Sequence, residues 1–391
     1  MSVSLLAAHR RIVWPLSHGQ LVQLAVLALA ACWLTPAAHG AATYRIVALD
    51  VLPGGSDSYA FGLNDHGQVV GTSTLDRSGN VGRSRPVVWD SSGVPRELWT
   101  DEGVGGVLQD VNNAGEIVGR YGSGSGIPLP GPGVPYGRAF YWSSTVGRHD
   151  IGFEPLGFSQ AVEINEAGQV AGSSERLELV EIDGTPQPQY VSRGFVWDAA
   201  HGIRGLDEPT GKYYFTHATA INNQGQAAGY GGLSSSGQER AFVWDQTHGL
   251  KELPTIAGGD TRAVAINDLG QVLGVEFGIG GVVWDLSSGM ITQVPGGFDF
   301  NNLGQAVGGR NIWDQSLGLR LISDLIPQDT GWQIEFVFAI NDKEEIVGYG
   351  LLKGELRGFL LIPVPESSKS SLAIVAFTLI ACCRSRRPRR P

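Results

Sequence analysis

The chain has 391 residues, with 28 Lys+Arg against 38 Asp+Glu, 56 Gly and 3 Cys. Eight of the basic residues and one acidic residue lie in the two end segments, so the central region carries about 17 more acidic than basic side chains. A surface so charged excludes nucleic acid and anionic lipid as natural partners. Cys32, Cys382 and Cys383 all lie in the end segments, so the centre has no disulfide and depends on a hydrophobic core.

Residues 1–40 read as a secretory signal. Arg10 and Arg11 supply positive charge, Leu21 to Leu34 an apolar stretch, and Ala38 and Gly40 the small residues of a cleavage site. An alternative is a lipobox, Leu29-Ala30-Ala31-Cys32, which would make Cys32 a lipidated N-terminus. Next comes an apolar strand, Tyr44 to Leu52, with no partner strand preceding it.

Seven copies of one unit follow: GLNDHGQVVG, DVNNAGEIVG, EINEAGQVAG, AINNQGQAAG, AINDLGQVLG, DFNNLGQAVG and AINDKEEIVG. Their lead asparagines are Asn64, Asn112, Asn165, Asn222, Asn267, Asn301 and Asn341. In each, an apolar strand (a) ends in Asn and a second strand (b) follows. An Asn that bonds its own backbone and a Gly in the left-handed region make the connection a tight hairpin. The run lacks the alternating carboxylates of a calcium loop, so no metal is expected there. A third strand (c) follows in every copy and carries Trp89, Trp142, Trp197, Trp244, Trp284 and Trp313, with Phe359 and Leu360 at the equivalent place in the last. A Trp recurring at one point is most simply a wedge between neighbouring sheets. A short turn and a fourth strand (d) complete the unit.

Four antiparallel strands repeated seven times predict an all-β, seven-bladed β-propeller over residues 41–362. Because the first strand lacks partners and the last copy lacks strand d, Tyr44 to Leu52 should close the final blade in a 3+1 clasp. That arrangement removes the open sheet edges.

The units Arg240 to Asp245, Thr255 to Asp268 and Gln271 to Gly274 resemble the HAF-repeat family of predicted extracellular bacterial proteins, and the resemblance covers Tyr44 to Ile362. The Trp-Asp pairs resemble WD40 repeats too, but that family's Gly-His dipeptide is missing. The tail, residues 363–391, resembles a PEP-CTERM sorting signal. It has Val364-Pro365-Glu366, a short apolar run Ser371 to Cys383, and a cluster formed by Arg384, Arg386, Arg387, Arg389 and Arg390. Ser367 stands where that family's second Pro is expected. The tail's apolar run is short of the roughly 20 residues that span a bilayer. These resemblances imply export, sorting machinery that acts on the tail, and retention at the cell surface or in an extracellular matrix.

In a four-strand meander the a–b and c–d turns share one face and the b–c and d–a connections the other. The longest insertions, Tyr121 to Arg138 and Ser173 to Arg193, are b–c loops, and loops on one side of a rigid scaffold are the usual binding surface. Tyr136, Tyr190, Tyr213, Tyr214 and Trp332 fall on that side and are the candidate ligand-binding residues, suited to stacking on a polysaccharide. The alternative role for such rings is to pin their loops. The tight-turn face is expected to be quiet.

Catalysis finds little support. There is no H-E-x-x-H, no G-x-S-x-G and no cofactor motif. His149, His201, His217 and His248 are scattered; His201 and His248 occupy equivalent c–d turns. Glu175, Glu178, Glu181 and Asp183 read as a solvated acidic stretch. The expectation is a non-catalytic binding module without cofactor, for a polysaccharide or an envelope protein, with a propeller-type glycosidase or lyase as the remote alternative.

Overall fold

In a computed structural model, the structure describes residues 43–364 except 76–82, 100–104, 123–136, 154–156, 183–184, 207–210 and 235. The expected signal segment with Cys32, the tail from residue 365 onward, Tyr136 and the side chains of Glu181 and Asp183 lie outside the described residues. No helix among the described residues is long and apolar enough to cross a membrane.

Seven four-stranded antiparallel sheets form the blades of a propeller. In blade 1, strand a is Gly55–Leu63, b is Val69–Leu75, c is Arg83–Trp89 and d is Pro95–Glu97. The innermost a strands of blades 2 to 7 are Gly105–Val111, Ser159–Ile164, Tyr213–Ile221, Thr261–Ile266, Asp299–Phe300 and Trp332–Ile340. Strand a of blade 7 begins at Trp332.

The clasp is present. Strand Thr43–Leu49 pairs antiparallel with Glu355–Val364, with Val47 opposite Leu360 and Thr43 opposite Val364. It supplies strand d of blade 7, so the last sheet gains its outer strand from the start of the chain. Strand c ends and strand d begins on the tight-turn face, so the described chain enters and leaves the ring there, side by side.

The recurring Trp residues fill the joints between blades. At the joint of blades 7 and 1, Trp89 is fully buried with Leu49, Leu52, Val87, Val347 and Leu360, and its Nε1–H donates to Asp50 O at 2.7 Å. Trp284 repeats this between blades 4 and 5, donating to Pro254 O at 2.7 Å. Trp197 and Trp244 are also buried, whereas Trp142 and Trp313 are half-buried. Phe359 and Leu360 are fully buried in the last copy. The Asp after Trp is equally local in purpose: Asp198 Oδ1 accepts the N–H of Ala200 and His201, and Asp245 Oδ1 those of Thr247 and His248. His201 and His248 are therefore turn residues, each with Nδ1 against that Asp.

Candidate functional site: the axial channel

The repeat's asparagines meet at the centre of the tight-turn face. Each Oδ1 caps its own hairpin; in Asn165 it accepts Ala167 N–H at 3.1 Å and Gln169 N–H at 2.9 Å. Each Nδ2 does something the repeat alone does not reveal. Asn64 Nδ2 donates to Asn112 O, Asn112 to Asn165 O, Asn165 to Asn222 O and Asn222 to Asn267 O. Asn267 then donates to Asn301 O, Asn301 to Asn341 O, and Asn341 back to Asn64 O at 3.1 Å. The seven bonds form a closed circle around the axis.

A second belt lies beside it. In blades 1 to 6 the residue after the Asn donates its N–H to a side-chain oxygen of the next blade, as in Glu166 N–H to Asn223 Oδ1 at 2.8 Å and Asn302 N–H to Asp342 Oδ1 at 2.8 Å. At the closing joint Lys343 Nζ instead donates to Asp65 O.

Inside these belts is a cavity of about 170 Å³, lined by the ring asparagines, Asp65, Asp268, Asp342 and three deeper carboxylates, Asp110, Glu163 and Asp299. The face expected to be quiet therefore holds a polar cavity. The three acids stand two residues before a ring Asn, where the other copies carry Gly62, Ala220, Ala265 and Ala339. Each accepts a backbone N–H from the next blade: Asp110 Oδ2 from Ile164 at 3.0 Å, Glu163 Oε2 from Ile221 at 2.8 Å, and Asp299 Oδ2 from Ile340 at 2.8 Å. In blades 1 to 5 and 7 these positions adjoin β-bulges, where the ladder is locally disrupted. The side chains line the cavity, yet their carboxylates lie deep in the ring. Burial pushes Asp110 up to about 7 and Asp299 to about 6, against the N–H bonds that favour the charged form. Burial raises Glu163 well above the usual carboxylate range too, and the charges of Asp110 and Asp299 add to it.

These shifts have a sign. A carboxyl whose folded pKa is raised holds its proton in the native state after the unfolded chain has released it. Stability should therefore fall as pH rises from about 4, the unfolded carboxylate value, through about 6 and about 7, where Asp299 and Asp110 titrate, with the raised Glu163 adding to the fall. The exposed turn acids Asp90 and Asp285 are held low by hydrogen bonds from Ser92 and Ser287, so their contribution is lost only below the usual carboxylate range. A triple variant, Asp110→Asn, Glu163→Gln and Asp299→Asn, keeps an acceptor oxygen at each site and removes the charge. Denaturant titrations at pH 5 and pH 8 should show a loss of stability in the wild type and a much smaller one in the triple variant. Equal slopes in the two proteins would contradict this assignment.

The opposite, b–c end of the channel differs in chemistry. Here residues in and just before the a strands divide into two sides. Blades 6, 7 and 1 contribute rings in continuous contact. Phe298 lies 5.1 Å from Phe336, Phe336 4.7 Å from Phe338, Phe338 5.1 Å from Phe61, and Tyr59 5.1 Å from Tyr349. Tyr349 also stacks on Phe336 with an interplanar angle of 11°. Phe298 is 55% exposed and forms the outer end of this wall. At the corresponding strand positions blades 2 to 5 place Gln109, Gln160, Thr219, His217 and Arg262, interspersed with Val107, Val162 and Val264. Arg262 is gripped by both oxygens of Glu239 and lies over the rings of Tyr230 and Phe277 at 4.9 and 5.4 Å. Burial lowers the His217 pKa, and its Nδ1 lies 3.0 Å from Ser173 Oγ.

Of the residues selected from sequence, Tyr190 and Tyr214 are 56% and 49% exposed, on the long hairpin of blade 3 and at the start of blade 4. Tyr213 is only 5% exposed, turned inward against Phe242 and toward Glu252, and offers no face to a ligand. The alternation of the strand explains this, since neighbouring residues point to opposite sides. Trp332 is half-buried, edge-on to Phe359 at 5.6 Å, and stands on blade 7, apart from the other two. Glu178 is clamped by Arg193 and Arg176, and Glu175 Oε2 accepts Phe158 N–H. The aromatic wall was missed, although SYAFGLN and EFVFAIN show paired rings three and five residues before the Asn in the first and last copies alone.

No family model matches the chain, and a search of curated proteins finds no match. Among solved structures, one described as YCF48 bound to D1 peptide is similar at 13% identity, covering 83% of this chain and 97% of that one, with a TM-score of 0.44. The soluble aldose sugar dehydrogenase of Escherichia coli in its apo form is similar at 11% identity, covering 82% and 100%, with a TM-score of 0.31. Neither likeness carries a residue role or an activity over to this chain.

Proposed function

We propose that the protein is an exported, surface-retained, non-catalytic binding module of the HAF-repeat kind, and that its b–c face takes an extracellular polysaccharide. The observation that carries this reading is the aromatic wall on one side of the channel mouth, facing amide, hydroxyl and imidazole groups on the other. Flat rings opposite hydrogen-bonding side chains are what a sugar's apolar face and hydroxyl edge require. The end segments fit the same scheme. Thr43 and Val364 are paired on the tight-turn face, so both end segments join the described residues on the side opposite the b–c face. The acids of the cavity have structural employment in bonding the next blade, which favours binding over turnover.

Affinity electrophoresis through gels containing polysaccharide tests the proposal. Retardation should occur and should weaken in Tyr214→Ala combined with Phe298→Ala, both exposed positions, with the thermal unfolding profile retained. Equal mobility in gels with and without polysaccharide would remove this reading. Hydrolysis of a polysaccharide, lost in Glu163→Gln, would place the protein among enzymes instead, since a raised carboxyl is what a general acid needs.

A second reading, a protein scaffold at the envelope, rests on the blade 3 hairpin. Leu177 sits opposite Tyr190 and Leu179 opposite Pro188, putting exposed apolar side chains on one face of the projecting ribbon. Capture of an envelope protein that is lost in Leu177→Ser/Leu179→Ser, without polysaccharide retention, would favour it.

A further inference from the structure

Resting on the polysaccharide reading, we propose that the ligand is an uncharged glycan, bound by stacking on the wall formed by Phe298, Phe336, Phe338, Tyr59 and Phe61, and not an acidic one. Recognition of a uronate or sulfate needs a cation aimed at the ligand, best a guanidinium fork. The guanidinium on the polar side of the mouth is already committed. Both oxygens of Glu239 engage Arg262 Nε and Nη2, while Tyr230 and Phe277 cover its plane. The same holds for other arginines near this face. Arg357 donates to Ser56 O, Leu356 O and Glu355, and Arg240 donates to Gln238 and two backbone carbonyls and lies near Glu252. Arg193 is held by Glu178.

The longer-range field acts in the same direction. The central region carries about 17 more acidic than basic residues. A polyanion approaching the mouth meets a repulsive potential, against which the described residues set the exposed Lys353 of the blade 7 b–c hairpin, whereas an uncharged chain meets no such cost. The aromatic wall then provides the contact area. Gln109, Gln160 and Thr219 provide donors and acceptors suited to hydroxyls.

The test is affinity electrophoresis of the folded protein in gels containing dextran, a β-glucan, alginate or polygalacturonate, at low and at high salt. Retardation is expected with at least one neutral polymer and with neither acidic one, and it should change little with salt, since no ion pair forms. Phe336→Ala/Phe338→Ala should weaken retardation about tenfold or more, as removal of a central ring does at a binding hot spot. Phe298→Ala, at an exposed position, keeps the test readable where the double variant fails to fold. Retardation by the acidic polymers alone, reversed by salt, would overturn the uncharged-ligand inference and leave the binding module intact. No retardation by any polymer would overturn both.

Discussion

Asn165→Ala should cost about 3–5 kcal/mol of unfolding free energy, among the larger effects of any single side chain in this fold. The side chain is buried and makes four bonds. Its Oδ1 accepts Ala167 and Gln169 N–H, while its Nδ2 donates to Gln169 Oε1 and Asn222 O, both at 2.9 Å. Alanine leaves two part-buried N–H groups, one buried carbonyl and one amide oxygen without those partners, and an orphaned buried group costs roughly 1–3 kcal/mol. Asn165→Asp separates the two functions. It keeps the acceptor for the hairpin but turns a carboxylate oxygen toward Asn222 O, so it should be nearly as damaging and should improve as pH falls. Leu269→Ala, at an exposed position of an equivalent hairpin, is the control and should change stability by under about 0.5 kcal/mol. Denaturant titration with an unchanged m-value is the measurement. A loss below about 1 kcal/mol for Asn165→Ala would mean that the circle of seven amides contributes geometry without stability.

Deleting residues 43–49 should abolish cooperative unfolding of the ring. The strand makes one whole edge of blade 7 and contributes Leu49 to the cluster that joins blades 7 and 1. Without it, strand Glu355–Val364 becomes an open edge, and Phe359, Leu360 and Leu361, all fully buried, lose their cover. A graded version avoids complete loss of structure. Leu49→Ala, at a fully buried position among Ala60, Val87, Trp89 and Leu360, should cost about 2–5 kcal/mol through lost burial and the cavity left behind. Trp89 reports on this directly, because its indole packs in the same cluster and bonds Asp50 O at the end of the clasp. Its emission should shift to the red in the deletion. Unchanged thermal unfolding after removal of the strand would show that blade 7 holds with three strands and that the clasp is ornamental.

The two effects concern the same closure. A ring of blades is as stable as its weakest joint, and at the joint between blades 7 and 1 residues 50–54 link blade 1 only to the clasp strand, which is held to strand c of blade 7 by pairing alone. The clasp binds that joint at the outer edge, and Asn341 with Lys343 binds it at the axis, through Asn64 O and Asp65 O. The wall of rings from Phe298 to Phe61 crosses it as well. Function is proposed where closure happens to gather those rings, so a variant that loosens the clasp should weaken glycan binding before it unfolds the ring.

Much of this was legible in the residues themselves. Strand alternation, the Asn-x-x-Gly hairpins, the Trp at each joint and the unpaired first strand are local or periodic features, and they specify blade number and closure. What a residue does across a joint is another matter. The Asn carried a visible local reason, the cap on its own hairpin, and that reason concealed its second bond, to a carbonyl in the next blade. The acids at Asp110, Glu163 and Asp299 could be seen as departures from Gly or Ala at one repeat position, but their partners lie 41 to 58 residues away in other blades. Tyr213 and Tyr214 look alike in sequence, and strand alternation sends one inward and one outward. The aromatic wall shows the limit most plainly. Phe61 and Phe338 belong to the first and last blades and touch only because the ring closes. Periodicity determined the blades and their number. Only the tertiary structure, by circling seven equivalent units around one axis, decided which of their differences would face each other.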